Sequence, residues 1–205
     1  MSTTPVIHVV DDDESLRAAL LRLLAAAGFE ARGYASAGDF LLSPPPEGPG
    51  CLLLDVRMPG PSGLDLQEAL QRRGVALPVV FLTGYADLTA GVRAMKAGAV
   101  DFLAKPVERD ALFEALHRAL AQDAAQRAAR DEAQQLRVRF GSLKPRERAV
   151  LDRIVAGRLN KQIADELGIS ERTVKMERAQ VMAKLGVGSA AELGRLAERL
   201  RHLSD

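Results

Sequence analysis

The sequence predicts an α/β fold followed by an all-α one: a doubly wound parallel sheet of five strands, then a long helix, then four short helices. Three observations carry this. Up to Pro106, short apolar runs ending in polar residues alternate with segments of helical periodicity. That alternation is the pattern of right-handed βαβ crossovers, with helices on both faces of a parallel sheet. From Glu108 to Arg139 there is no Gly or Pro, so nothing in the chain stops a helix. Beyond Gly141, four segments follow, each short and each bounded by helix start or stop signals.

The elements can be justified in order. Val6-Ile7-His8-Val9-Val10 is a β-branched run that ends in Asp11-Asp12-Asp13-Glu14. Ser15 opens a helix whose Leu16, Leu20, Leu23, Leu24 and Ala27 keep helical spacing until Gly28 ends it. Phe29 to Tyr34 reads as a second, weaker strand, and Ala37–Leu42 as a short helix. The segment Ser43-Pro44-Pro45-Pro46-Glu47-Gly48-Pro49-Gly50 has the composition of a polyproline ligand, but between two elements it reads as a stiff surface loop. Cys51-Leu52-Leu53-Leu54-Asp55 is short, apolar and followed by the turn residues Pro59-Gly60, which marks a strand buried on both faces. Gly63–Arg73 is a helix with Leu64, Leu66 and Leu70 as core candidates. Pro78–Thr83 is another buried strand, Asp87–Ala97 an amphipathic helix carrying Leu88, Val92 and Met95, and Val100–Ala104 the strand that leads to Lys105-Pro106.

Polar residues therefore stand at the ends of four strands: Asp11 and Asp12, Asp55, Thr83, and Lys105. Parallel strands place these ends along one edge, the edge at which open α/β sheets bind ligands. Carboxylates brought together repel one another unless a cation joins them, and oxygen-only ligands with high charge suit Mg²⁺. A hydroxyl and an ammonium beside them are what an incoming phosphoryl group needs for its oxygens. A carboxylate supported in this way can act as a nucleophile and form an aspartyl phosphate.

At this point the residues resemble a known family. Val10-Asp11-Asp12-Asp13, Leu54-Asp55-Val56-Arg57-Met58-Pro59, Ser62-Gly63, Leu82-Thr83-Gly84, Met95-Lys96-Ala97-Gly98-Ala99 and Asp101-Phe102-Leu103-Ala104-Lys105-Pro106 are similar to the receiver domain of bacterial two-component response regulators. The resemblance implies a flavodoxin-like sheet of strand order 2-1-3-4-5. It makes Asp55 the phosphoacceptor, and Asp12, Asp55 and the Arg57 backbone carbonyl the Mg²⁺ ligands, with Asp11 acting mainly through water. Thr83 and Lys105 would bind phosphoryl oxygens, Lys105-Pro106 would be a cis bond, and Phe102 would be the rotating aromatic that reports the position of Thr83. Arg57 and Tyr85, two residues beyond Asp55 and Thr83, would set the lifetime of the phosphoryl group.

The second half has its own signature. Leu112, Leu116 and Leu120 cover one face of the long helix, but beyond Leu120 nearly every apolar residue is alanine, and Asp123 with Arg127 is a favourable i,i+4 pair. A solvated spacer helix is favoured over an alanine-faced seam, since a coiled-coil seam wants larger residues. The short helices are Pro145–Ala156, with Val150, Leu151, Ile154 and Val155 inward; Asn160–Leu167, stopped by Gly168; Glu171–Leu185, capped by Ser170; and Ser189–Leu200, with Leu193, Leu196 and Leu200. Lys161 to Lys175 has helix-turn-helix form, with small Ala164, turn Gly168 and inward Val174. The wider string resembles the LuxR-type output domain, through Pro145-Arg146-Glu147-Arg148, Gly157, Asn160-Lys161-Gln162-Ile163-Ala164, Thr173-Val174-Lys175 and Lys184-Leu185. Receiver plus LuxR-type domain is the NarL/FixJ family, and Arg178-Ala179-Gln180-Val181-Met182 fits its FixJ-like subgroup. Its DNA contacts would come from Lys161, Arg172, Thr173, Lys175, Met176, Arg178, Ala179 and Lys184. Glu177 departs from the family, where most relatives have His. It could read a cytosine or, as favoured here, turn sideways to a basic residue such as Lys161.

Bulk properties agree with this division. Of 205 residues, 47% are apolar and 27% charged, normal for a globular chain. Residues 1–120 hold 11 Lys/Arg against 15 Asp/Glu, whereas residues 141–205 hold 13 against 9, so an acidic front precedes a basic tail able to approach a polyanion. The single cysteine, Cys51, cannot form an internal disulfide and reads as a small buried apolar residue. His8, His117 and His202 lack metal-ligand spacing. No membrane span or signal peptide is recognisable, so a cytoplasmic protein is expected. The domains expected are a receiver at 1–120, a helical linker at 121–140 and a DNA-binding domain at 141–205. The expected function is a phosphorylation-activated transcription regulator, an activator, with Mg²⁺ as cofactor. Its partners would be a sensor histidine kinase, promoter DNA, RNA polymerase and, on phosphorylation, a second copy of itself. It would not be an enzyme beyond phosphorylating and dephosphorylating itself at Asp55. The alternatives are a phosphorylation-independent DNA-binding regulator and an Asp-nucleophile phosphotransferase.

Overall fold

The structure is a computed structural model that describes residues 4–44, 48–84 and 88–202. The first half of the chain builds β1 (Val6–Val10), α1 (Glu14–Ala26), β2 (Glu30–Tyr34), α2 (Ala37–Leu42), β3 (Gly50–Asp55), α3 (Gly63–Arg72), β4 (Val79–Thr83), α4 (Leu88–Lys96) and β5 (Asp101–Ala104). The strands form one sheet in the order β2-β1-β3-β4-β5, every neighbouring pair parallel. The predicted fold and strand order are both found.

Burial explains the central strand. All six residues of β3 are buried, because helices cover both faces. Successive side chains of a strand point to opposite faces. Leu52 and Leu54 accordingly join the core beneath α2, α3 and α4, with Phe40, Leu66, Leu70 and Ala94. Cys51 and Leu53 join the opposite core, with Leu20 and Leu24 of α1 and with Leu112 and Leu116 of α5 (Arg109–Gly141).

Several boundaries move for local reasons. The cap of α1 is Asp13 rather than a residue at Ser15, its carboxylate accepting from Leu16 N–H, so the helix begins at Glu14. The expected start of α4 at Asp87 falls outside the described residues. Val92 and Met95 do not face the core: they are 49% and 48% exposed, and among the described side chains of α4 the buried one is Ala94, while the Leu88 side chain lies outside the described set. Small residues let α4 lie close to the sheet, with a Cβ on Gly91 only 3.3 Å from the Phe102 ring, while Val92 and Met95 are exposed.

The second half builds α6 (Pro145–Val155), α7 (Asn160–Leu167), α8 (Glu171–Leu185) and α9 (Ala190–His202). Gly168 ends α7 in the left-handed conformation and Ser170 caps α8, its hydroxyl accepting from Thr173 N–H. Val150, Leu151, Ile154, Ile163, Val174, Val181, Leu185 and Leu193 form a separate core. The side chain of Leu200, also expected there, lies outside the described set. Two compact units result, residues 1–127 and 128–205, and the division falls inside α5. Within the expected spacer, Ala121, Gln122, Ala124 and Ala125 are exposed, and Asp123 is the exception. Asp123 is 1% exposed, and its carboxylate accepts from Gly50 N–H at 2.9 Å.

Candidate functional site

The carboxyl ends of β1, β3 and β5 do converge. Lys105 Nζ lies 2.7 Å from Asp11 Oδ2 and 3.0 Å from Asp55 Oδ2. Carboxylate oxygens of Asp11, Asp12 and Asp55 lie within 4.8 Å of one another. Asp11 and Asp55 are buried and Asp12 is exposed, so the cluster opens to solvent at Asp12. Each group is held in place. Asp11 accepts from Asp13 N–H and Asp55 from Arg57 N–H, while Arg17 donates to the Asp11 carbonyl at 2.7 Å. Lys105 precedes a cis proline, as expected.

The helix that follows β3 begins against this site. Ser62 and Asp65 form a reciprocal capping box at the start of α3, and the Ser62 bonds hold the Asp65 carboxyl below its usual range. Gly63 donates its N–H to the Val56 carbonyl, and a Cβ here would stand 2.2 Å from the Asp55 carbonyl oxygen. Only glycine allows that approach.

Electrostatics in the cluster are unbalanced. Burial raises the Asp55 pKa, and the nearby Asp11 charge adds to it; the bond and charge of Lys105 and the Arg57 N–H act the other way. Burial alone would lower Lys105, but its bonds to Asp11 and Asp55 and their charges outweigh burial and raise it. The ammonium therefore stays charged. Three carboxylates against one ammonium leave negative charge uncompensated on oxygen atoms alone, which is the donor set and charge deficit that suit a hard divalent cation.

Thr83 is buried at the end of β4, and its hydroxyl donates to the Gly84 carbonyl. Phe102, on the neighbouring strand, is half-buried with its ring 6.2 Å from Phe81. The Arg57 side chain is exposed. Tyr85 lies outside the described residues.

In the second unit, Lys161, Arg172, Lys175, Met176 and Ala179 are exposed on α7 and α8, with Thr173 half-buried and bonded to Ser170 through its hydroxyl. Arg178 donates to Asn160 Oδ1 at 3.2 Å, tying α8 to the first turn of α7. Two expectations need correction. Lys184, expected at the DNA, has internal partners: its ammonium lies 2.6 Å from Glu147 Oε2 and also bonds the Ser142 carbonyl. Glu147, missed as a partner, is 1% exposed, so its carboxylate demands an internal cation. Its helix-N3 position after Pro145 was the available signal, since Glu147 also accepts from Lys144 N–H. The second correction is Glu177, which is half-buried and makes no ion pair with Lys161 among the described residues. Arg178 makes the tie between α7 and α8 instead.

Comparisons with known proteins match both units. Residues 7–117 match the response regulator receiver domain, and residues 141–197 match the bacterial regulatory proteins of the luxR family. Nodulation protein W of Bradyrhizobium diazoefficiens is 43% identical over 199 residues, covering 97% of this chain and 88% of that protein. The transcriptional regulatory protein FixJ of the same organism is 42% identical over 207 residues, covering 100% of both. The low-resolution structure of the response regulator StyR aligns with a TM-score of 0.87 at 48% identity, covering 96% of this chain and 100% of that one. The acidic strand-end site and the helix-turn-helix thus sit in one chain whose relatives match along nearly its whole length, and the chain belongs to the NarL/FixJ family of two-component response regulators, transcription regulators with a receiver domain and a LuxR-type DNA-binding domain.

Proposed function

We propose that Asp55 is the phosphoacceptor of this regulator and that its phosphorylation by a sensor histidine kinase activates transcription. The observation that supports this most is the meeting of Asp11, Asp12, Asp55 and Lys105 at one sheet edge. An Asp55 carboxylate oxygen attacks phosphorus, the bond from phosphorus to the kinase's histidine nitrogen breaks, and the imidazole leaves with that electron pair. Lys105, already 3.0 Å from Asp55, neutralises a phosphoryl oxygen, and Thr83 hydrogen-bonds another by turning from Gly84. Asp12, Asp55 and the Arg57 carbonyl would hold Mg²⁺, with Asp11 acting through water; bound there, the ion would screen charge on the transferring oxygens. Arg57 and Tyr85 would govern access of the hydrolytic water. The chain acts on no other substrate. We assign residues 1–120 to the receiver, 121–140 to the linker and 141–205 to the DNA-binding domain.

Phe102 fills the space that Thr83 leaves, and the α4–β5 face changes shape. Val92 and Met95 are exposed apolar residues on that face, which supports its use in a two-fold dimer. Two recognition helices α8 would then enter major grooves about one turn, roughly 34 Å, apart. Lys161, Arg172, Thr173, Lys175, Met176, Arg178 and Ala179 supply the DNA contacts, and the bound dimer recruits RNA polymerase in the cytoplasm. Labelling with a small phosphodonor and Mg²⁺, followed by light scattering and binding to randomised duplexes, tests the reading. Asp55→Asn is expected to take no label and to remain monomeric; stoichiometric labelling of that variant, or a constitutive wild-type dimer, would contradict it.

A further inference from the structure

From Ala121 to Gln135, α5 carries no apolar residue larger than alanine, and an alanine-rich segment with no apolar stripe has little to hold it to a sheet. A buried carboxylate stands there instead. Asp123 is 1% exposed and accepts from Gly50 N–H at 2.9 Å and from Arg127 Nε at 2.8 Å. Arg127 reaches on to donate to the Gly48 carbonyl. A carboxylate is retained at such depth only when its partners are in place.

The segment it grips is itself immobilised. Val6 N–H donates to the Pro49 carbonyl, and a Cβ on Gly50 would meet the Val6 carbonyl oxygen at 2.2 Å, so only glycine lets this turn press against β1. Gly50 is the first residue of β3 and Asp55 the last, on a strand buried throughout and paired on both sides. The Asp123 grip and the candidate phosphoacceptor are therefore the two ends of one central strand. From Arg127, α5 continues unbroken to Gly141.

We propose that Asp123 and Arg127 are positioning residues for signal transfer: a clasp that fixes α5 to the start of β3 so that the state of Asp55 can bias DNA binding. This rests on the phosphorylation reading above. The Arg127 fork holds the carboxylate and the Gly48 carbonyl together through its positive charge and its several N–H donors.

The test uses the full-length chain and three variants. Asp123→Asn keeps an oxygen for Gly50 N–H but gives up the ion pair; Arg127→Ala removes the fork; Arg127→Lys keeps the charge. All three should accept label at Asp55 as the wild type does, which also reports an intact receiver. In Asp123→Asn and Arg127→Ala, amides 121–127 should exchange about tenfold faster or more, as expected when a local anchor is lost. The gain in DNA affinity on phosphorylation, about 5–150-fold for coupling of this kind, should fall towards one in both. Arg127→Lys should keep most of the gain, which mere destabilisation would not produce. A wild-type gain preserved in both variants, or unchanged exchange at 121–127, overturns the clasp alone. A wild type without any gain overturns the phosphorylation reading and the coupling with it.

Discussion

Replacing Lys184 with Met separates an internal ion pair from a DNA contact. In the structure Glu147 Oε2 takes the Lys184 ammonium at 2.6 Å and Lys144 N–H at 2.7 Å, while Glu147 Oε1 has no hydrogen-bond partner among the described residues. Breaking a buried pair costs about 3–5 kcal/mol because the remaining charge is stranded. The Lys184 side chain is 34% exposed, so solvent screens part of that, and about 2–3 kcal/mol is the expected loss. For a unit of this size that corresponds to a fall of roughly 10–20 °C in its unfolding temperature. Calorimetry on the full-length chain should show the transition of the second unit falling and that of the first unmoved. Adding Glu147→Leu removes the stranded charge and should restore most of the loss. The dependence of DNA affinity on salt gives the second readout: a lysine on phosphate contributes about one to the slope, so the slope should not change. An unmoved transition together with a slope reduced by about one would refute the internal role.

Three further outcomes follow from the geometry. His8 donates or accepts at Tyr34 Oη, 3.1 Å away, and its pKa is pushed down to about 4, first by burial and then by the Arg32 charge, with Glu30 opposing. Its folded pKa lies below the unfolded one, so stability is full above about pH 6.5, falls as the pH drops to about 4, and then levels. That loss should be about 2 kcal/mol after allowance for screening, and His8→Phe should remove it in urea titrations taken across pH. The Cys51 thiol is pushed up to about 12, by burial first and then by Asp123, so a disulfide reagent at pH 8 should label it only as the protein unfolds; rapid native labelling would contradict its placement. Gly63→Ala should destabilise the first unit by about 1–3 kcal/mol and weaken Mg²⁺ binding followed by NMR, because the start of α3 must retreat from Asp55.

The strand-end site was legible because its signal is local. A β-branched or leucine run ending in Asp, Thr or Lys states both the strand and the edge where the polar group will stand, and parallel pairing does the rest. Asp11, Asp55 and Lys105 needed no long-range information beyond the order of the strands. Helix caps are legible for the same reason, although the start at Ser15 falls two residues past the cap at Asp13, whose carboxylate takes the Leu16 N–H.

What stayed hidden is the buried polar pair. Lys184 and Glu147 are 37 residues apart, and Asp123 and Gly50 are 73 apart. Hydrophobic periodicity marks which face of a helix is apolar, and a charged residue on that pattern reads as solvent-facing. Residues 121–127 carry alanines too small to mark a face at all, so Asp123 and Arg127 read as an ordinary exposed i,i+4 pair. The same weakness misplaced Val92 and Met95. Among the described side chains of α4, Gly91 and Ala94 lie against the sheet side, and Val92 and Met95 are exposed. A helix that packs through small residues inverts the usual inference: its larger apolar residues then mark an exposed face, here the one proposed for the dimer.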